Sequence, residues 1–355
     1  MTNKSKKTIK IGDRNIGPEY PTFVIAEISA NHNGSFERAK KLVKKACECG
    51  ADAVKLQTYT PDTLTLESGK KWFQIEDSNP DWNGKTLYEL YEEAYTPWEW
   101  HEELKEVAKK NDTIFFSTAY DDSAVDFLEE LGIPAYKVAS FEATDVELLK
   151  KIAGTGKPVI ISRGMSSLQE ISESVSVLKS NGIEKIALLH CVSSYPAKPE
   201  EMNLATISNI QETLDVIPGL SDHSLTTTTA IVGVTLGACV VEKHLTLDRD
   251  DGGPDASFSL EPDEFKELIE GIRVAEKSVG KVAYELGEGE SDNVSFRRSL
   301  WVTKPVKKGE EFTKENIGRY RPAHGLPVKH LSKFIGKKAN QDIDPPRPLS
   351  WDLIG

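Results

Sequence analysis

The sequence predicts a (β/α)8 TIM barrel followed by a small C-terminal β-rich domain, on three observations. Short Val- and Ile-rich runs alternate with capped amphipathic segments over about 250 residues, the usual length of such a barrel. Polar or charged residues sit at or just before the end of each run. After Gly280 the chain turns polar and then compact, without another long amphipathic helix. A doubly wound open sheet fits less well, because no Gly-x-Gly-x-x-Gly turn follows the first run and polar residues recur at all eight run ends.

The runs at 23–29, 52–58, 113–119, 135–140, 158–163, 185–191, 216–223 and 239–245 are short and apolar, as expected of strands covered on both faces. Between the first two, Ser35 opens a helix with the stripe Ala39, Leu42, Val43 and Ala46, and Gly50 ends it. Residues 60–96 carry Trp72, Trp82, Tyr88, Tyr91 and Tyr95 among acidic residues. A connection of that length is assigned to a lid over the strand ends. Thr96-Pro97-Trp98-Glu99 reads as a capping box with proline at the first helical position. Thr144 with Glu147 and Ser167 with Glu170 read as two more, and the last barrel helix spans Pro262 to Val279. Residues 1–280 form the expected barrel, 281–296 a linker, and 297–355 a domain too small to be more than marginally stable alone.

A length of 355 residues suits one large domain with a small one. The net charge of -12 argues against nucleic acid or an anionic membrane as partner, though a local lysine cluster still leaves room for a small anionic substrate. No run approaches the ~18 apolar residues of a membrane span. The basic start, Lys4, Lys6, Lys7 and Lys10, has no apolar segment behind it and reads as a frayed terminus, not a signal peptide. Cys47, Cys49, Cys191 and Cys239 lack zinc-type spacing and read as reduced core thiols of a cytoplasmic protein.

Reactive groups of a (β/α)8 barrel gather at the C-terminal strand ends. Those ends carry Glu27, Lys55 with Gln57, Ser117 with Thr118, Lys137 with Ser140, Arg163, His190 with Ser193, Ser221 with Asp222 and His223, and Glu242 with His244. Unpaired buried charge is costly. A ring holding Lys55, Lys137 and two histidines against Glu27 and Glu242 is therefore best explained by an anionic ligand at its centre. A lone strand-end lysine is usually a structural ion pair; two lysines with several hydroxyls favour a phosphate or carboxylate site. A single strand histidine is usually a hydrogen-bonded core group, a reading that suits His190. The pair His223 and His244 favours a divalent metal, with a carboxylate or waters completing its shell. Two other readings compete. One is a Schiff-base aldolase with Lys137 as nucleophile, which leaves the histidine pair unexplained. The other is a carbohydrate-binding protein that has lost catalysis, against which the intact polar set argues. His32, in Ala30-Asn-His-Asn-Gly-Ser35, is either turn chemistry or a rim contact to a sugar.

With these residues in place the chain resembles the nonulosonic (sialic-type) acid synthases. Ile25-Ala-Glu-Ile-Ser-Ala-Asn-His-Asn-Gly-Ser35, Ala53-Val-Lys-Leu-Gln-Thr58, Ala135-Tyr-Lys-Val-Ala-Ser140, Gly219-Leu-Ser-Asp-His223, Glu242-Lys-His244 and Arg321-Pro-Ala-His-Gly325 match that family's motifs in order. Leu87-Tyr-Glu-Leu-Tyr91, Thr96-Pro-Trp-Glu-Trp-His101 and Ala139-Ser-Phe-Glu-Ala143 look most like the pseudaminic branch, with the N-acetylneuraminate and legionaminate branches as alternatives. The resemblance implies a barrel with an antifreeze-like (SAF) domain that condenses phosphoenolpyruvate with an open-chain amino sugar. In the pseudaminic branch that acceptor is a 2,4-diacetamido-2,4,6-trideoxy-altrose. It implies that His223 and His244 hold a divalent metal, Mn2+ in preference to Mg2+. Lys55, Thr118, Lys137, Ser140, Ser193 and Ser221 would hold phosphoenolpyruvate, and Glu27 would stabilise the cationic C2. Gln57, Glu142, Tyr195 and Asp255 would serve the substrates, and Arg321 would reach the sugar across a domain-swapped homodimer. The chain departs from the family at Ser162-Arg163-Gly164, where Ser-Thr-Gly is usual, so Arg163 either adds a phosphate contact or points away. Ser193 stands where N-acetylneuraminate synthases carry asparagine, and the Gly/Asp-rich loop 249–255 is a second variable place.

Overall fold

The computed structural model describes residues 7–76 and 82–355 and falls into two compact units, Met1–Gly280 and Lys281–Gly355. The first unit opens with an antiparallel hairpin of β1 (Ile9–Ile11) and β2 (Arg14–Ile16). This corrects the frayed terminus: Lys10 lies in β1 and Lys7 Nζ is 2.7 Å from the Asp215 carboxylate, while Lys4 and Lys6 fall outside the described residues.

Eight parallel strands then close a barrel. They are β3 (Phe23–Glu27), β4 (Ala53–Thr58), β5 (Ile114–Ala119), β6 (Tyr136–Val138), β7 (Val159–Ser162), β8 (Ile186–Cys191), β9 (Ile217–Asp222) and β10 (Val240–His244), with β10 pairing back onto β3. All eight lie inside the runs read from the sequence. Outside the sheet run α1 (Phe36–Glu48), α2 (Pro61–Leu64), α3 (Leu87–Ala94), α4 (His101–Lys110), α5 (Asp122–Leu131), α6 (Val146–Ala153), α7 (Leu168–Ser180), α8 (Thr206–Leu214), α9 (Thr228–Thr235) and α10 (Pro262–Val279). Their apolar faces, such as Ala39, Leu42, Val43 and Ala46 of α1, merge with the outward strand residues into one core.

Caps behave unevenly. Ser35 and Ser167 accept hydrogen bonds from Arg38 N and Glu170 N as expected. The cap of α6 is Asp145 in place of Thr144, because its carboxylate takes both the Glu147 and Leu148 amides. The box at Thr96 does not form. Thr96 Oγ1 instead lies 3.2 Å from His32 Nε2, a 3-10 turn covers Trp98–Trp100, and α4 begins at His101. A tertiary partner has outcompeted the local cap.

In the second unit α11 (Glu288–Ser291) precedes a sheet of β11 (Ser299–Val302), β12 (Ile317–Tyr320) and β13 (Arg347–Pro348), with α12 (Leu331–Phe334) beside it. Strand order is β12-β11-β13, all antiparallel, over a separate core of Leu300, Val302, Phe312, Phe334 and Leu349. Among the described residues no helix is long and apolar enough to cross a membrane.

Candidate active site at the barrel mouth

Side chains alternate across a strand, and the barrel register brings the inward set to one level. Glu27 is paired with Lys55, Gln57 with Thr118, Thr118 with Lys137, Cys191 with Ser221, and Ser221 with Glu242. They surround a cavity of about 480 Å3 at the C-terminal end of the strands. Lys55, Gln57, Lys137, Ser140, Glu142, Tyr195, Ser221, His223, Glu242, His244 and Asp255 all line it.

Three expected residues stand one bond behind that wall. Glu27 Oε2 lies 2.6 Å from Lys55 Nζ, and Glu27 Oε1 accepts from Gln57 Nε2 at 3.0 Å. Thr118 Oγ1 accepts from Lys55 Nζ at 2.8 Å. Ser193 and Ser140 share a hydroxyl–hydroxyl bond of 2.9 Å. Gly164 sits against this serine pair with φ of +42°, and a Cβ there would lie 2.2 Å from Ser140 Cβ. Arg321 is exposed just past the end of β12, in the second unit.

The charges form a buried chain. Lys55 Nζ is 3.7 Å and Lys137 Nζ 3.9 Å from Glu242 Oε1, and Ser221 Oγ donates to that oxygen at 3.3 Å. Burial pushes Glu27 up to about 7, Lys55 pulling against it and Glu242 adding to it. Burial also acts against the charge on Glu242, but Lys137 and Lys55 hold its carboxyl below the ordinary range. Burial lowers Lys137, with Glu242 opposing. Two ammonium groups thus converge on one carboxylate oxygen in a desolvated pocket, an arrangement in which an incoming anion can compete for both.

The imidazoles of His223 and His244 are neighbours in an edge-on arrangement, with centroids 5.3 Å apart and planes 61° to one another. His223 Nδ1 lies 3.0 Å from the Val192 carbonyl; in the neutral ring that bond assigns the proton to Nδ1 and leaves Nε2 as a lone pair. Burial and the neighbouring cations hold His244 well below the usual histidine range, and its Nδ1 has no hydrogen-bond partner. Glu242 Oε2 is likewise buried without a hydrogen-bond partner. An unpartnered nitrogen on a neutral His244 and a free lone pair on the neutral His223 ring are a donor pair that fits a divalent cation. No group of three or more His, Cys, Asp or Glu suited to a metal occurs among the described residues. The fit is thus a two-histidine one, with remaining positions left for water and substrate oxygen.

Parity corrects several expectations. Cys191, expected to be an inert core thiol, lines the cavity with Sγ 3.9 Å from His223 Nδ1. His190 faces outward, buried and bonded to the Met202 carbonyl, the hydrogen-bonded core histidine that the sequence suggested. Ser117 also faces away, toward Thr58 at 2.6 Å. Arg163 points away from the cavity: Nε donates to His190 Nδ1 at 3.1 Å and Nη1 to the Ser166 carbonyl at 3.1 Å. His32 is fully buried, accepting from Gly34 N at Nδ1, and so serves the turn and not the rim. Asp255 accepts from the Ser29 hydroxyl and from Ala30 N, and burial raises its carboxyl.

The long connection does cover the mouth. Leu64, Ile75, Leu87, Leu90 and Tyr91 line one part of the cavity, and Trp82 packs at a tilt against Tyr195, centroids 5.6 Å apart, while its Nε1 donates to the Pro254 carbonyl at 2.6 Å. Trp72 stays 82% exposed and takes no part. Residues 77–81 of the lid lie outside the described residues. Phe258 was missed in the sequence. It touches His244 and Tyr195 with centroids 5.0 Å away in each case, and an isolated aromatic after a Gly/Asp-rich loop gives no periodic signal.

Residues 42–284 match the NeuB family and residues 297–355 match the SAF domain. The chain is 42% identical over 329 residues to a pseudaminic acid synthase of Campylobacter jejuni, covering 93% of this chain and 95% of that protein. It is 37% identical to an N,N'-diacetyllegionaminic acid synthase of the same organism, covering 90% and 96%. The crystal structure of an N-acetylneuraminic acid synthetase from Leptospira borgpetersenii superposes with a TM-score of 0.72 at 30% identity, covering 81% of this chain and 95% of that one.

Proposed function

The chain belongs to the NeuB family of metal-dependent, phosphoenolpyruvate-condensing synthases, and on that premise we propose that it makes pseudaminic acid. The substrates would be phosphoenolpyruvate and open-chain 2,4-diacetamido-2,4,6-trideoxy-altrose, with phosphate released. What favours the altro-configured acceptor is the 42% identity to the pseudaminic acid synthase against 37% to the legionaminic one. The lid wall of Leu64, Ile75, Leu87 and Leu90, whose side chains neither donate nor accept hydrogen bonds, favours either 6-deoxy diacetamido sugar over N-acetylmannosamine. Such a wall suits the C6 methyl and the acetamido methyls, each worth about 1–3 kcal/mol in an apolar pocket. A hydroxymethyl in its place would lose hydrogen bonds to water without gaining others.

Lys55, Thr118, Lys137, Ser140, Ser193 and Ser221 would grip the phosphate and carboxylate. Gln57, Glu142, Tyr195 and Asp255 would orient the sugar. C3 of phosphoenolpyruvate attacks the aldehyde carbon, and positive charge develops at C2. Glu27, whose charge burial makes costly in the resting site by raising its carboxyl to about 7, would stabilise that positive charge in its ionised form. Water adds to C2 and one of its protons goes to the alkoxide left by the aldehyde; the C2 hydroxyl then gives its proton to the departing phosphate as the C2–O bond to it breaks, leaving the 2-keto acid. A divalent cation on His223 and His244, Mn2+ in preference to Mg2+, would polarise the aldehyde as a Lewis acid. Arg321 would complete the sugar site across a domain-swapped homodimer.

The test is a panel of three acceptors, the altro-configured diacetamido sugar, its legionaminate counterpart and N-acetylmannosamine. It uses Mn2+ and phosphoenolpyruvate, with phosphate release and product mass as readouts. The trideoxy altro sugar should show the highest kcat/KM. Preference for either other acceptor would overturn the acceptor assignment, and silence with all three would overturn the condensation itself.

A further inference from the structure

The two strands that carry the histidines are tied together by an ion pair on their opposite face. On β9, Ser221 and, just past its end, His223 line the cavity; on β10, Glu242 and His244 do. The intervening residues, Asp222 and Lys243, therefore point toward the helices. They are register partners, both side chains are 0% exposed, and Lys243 Nζ lies 2.9 Å from Asp222 Oδ2. Asp222 Oδ1 accepts from Ser224 N at 2.9 Å, and Oδ2 accepts from Thr229 Oγ1 at 2.7 Å. Lys243 Nζ also donates to the Ser224 carbonyl and, at 3.4 Å, to the Thr226 carbonyl. The chain is thus fastened on both sides of His223, at 222 and 224, by the side chain that immediately precedes His244.

A buried ion pair seldom adds stability over apolar packing of similar volume, so its value here lies in geometry. We propose that Asp222 and Lys243 are positioning residues for the cation site, holding the ends of β9 and β10 so that His223 and His244 keep the spacing one ion requires. The inference rests on the reading of these histidines as metal ligands. Groups behind metal ligands typically set affinity by about 10- to 100-fold.

The test is Mn2+ titration of the metal-free, full-length protein, followed by the electron paramagnetic resonance signal of free Mn2+. It compares the parent with Asp222→Asn, the double variant Asp222→Asn/Lys243→Met, Thr229→Val and His223→Ala. The double variant leaves no orphaned charge and should keep its fold by circular dichroism. Its Mn2+ affinity should fall by about 10-fold or more, while KM for phosphoenolpyruvate changes by less than about 2-fold, since the lysines that grip it are untouched. Parental Mn2+ affinity in the folded double variant overturns the positioning role. If that variant does not fold, Thr229→Val, which removes only one bond to Asp222, decides in the same way. Unchanged Mn2+ binding in His223→Ala instead overturns the ligand assignment itself.

Discussion

Lys55 and Glu27 face one another on adjacent barrel strands with Nζ 2.6 Å from Oε2, and both side chains are almost wholly shielded from solvent. The carboxyl is nonetheless pushed up to about 7, because burial outweighs the attraction of the lysine and Glu242 repels it further. Ground-state charge at Glu27 is therefore costly and becomes useful when a cation forms beside it. Glu27→Gln keeps the shape and removes that charge. It should lower kcat by about 10²- to 10³-fold with KM for phosphoenolpyruvate little changed. Steady-state phosphate release checks this, and an undiminished kcat would remove Glu27 from the chemistry.

Gly164 supplies a steric prediction. An added Cβ would collide with Ser140 Cβ at 2.2 Å and Ser193 Oγ at 2.7 Å. Gly164→Ala should therefore spread the serine pair, raise KM for phosphoenolpyruvate by about 10-fold, and cost about 1–3 kcal/mol of stability. Urea unfolding and initial rates measure both, and an unchanged KM would separate the serines from substrate binding.

The strand ends were legible because residues that make poor core, such as Lys55, Lys137 and Glu242, interrupt Val- and Ile-rich runs. Their parity was less legible. His190 and Cys191 are neighbours at one strand end; the histidine is the core group its isolation suggested, but the cysteine, read as a core thiol, is the one the alternation sets inward. Thr96 shows the limit of local patterns: its capping box is intact in sequence, yet His32, distant in the chain, takes the hydroxyl. Arg163 could not be oriented until His190 and the Ser166 carbonyl were seen to bind it.

Glu142 carries a pH prediction. Burial raises its carboxyl to about 7, its own backbone and Lys137 opposing and Asp145 adding to the shift. A group raised above its unfolded value contributes stability below about pH 4.5 and loses it as pH rises through about 7. Glu142→Gln should thus be more stable than the parent at pH 8, by at most about 3 kcal/mol, and the advantage should vanish toward pH 4.5. Urea midpoints across that range check it. A pH-independent difference would show that Glu142 does not titrate this way.

Chelation should abolish phosphate release and Mn2+ should restore it in the parent. His244→Ala should stay inactive at Mn2+ concentrations that saturate the parent while keeping its fold. Full rescue of chelated protein by phosphoenolpyruvate and sugar alone would remove the metal from the reaction.

The Schiff-base alternative is decided at Lys137, whose Nζ donates to Ser162 Oγ at 2.8 Å and to the Val138 carbonyl at 2.9 Å. Borohydride reduction in the presence of pyruvate or phosphoenolpyruvate should add no mass to the protein. A stable adduct mapped to Lys137 would establish covalent catalysis in its place.

The most direct measurement follows one atom. Phosphoenolpyruvate labelled with 18O at the bridging position is turned over with Mn2+ and the diacetamido trideoxy sugar, and the released phosphate is weighed by mass spectrometry. The label is expected in the phosphate, one per turnover, because water attacks C2 and the C–O bond breaks. Label left on C2 of the product, or no phosphate at all, would contradict condensation through a C2 cation at this barrel mouth.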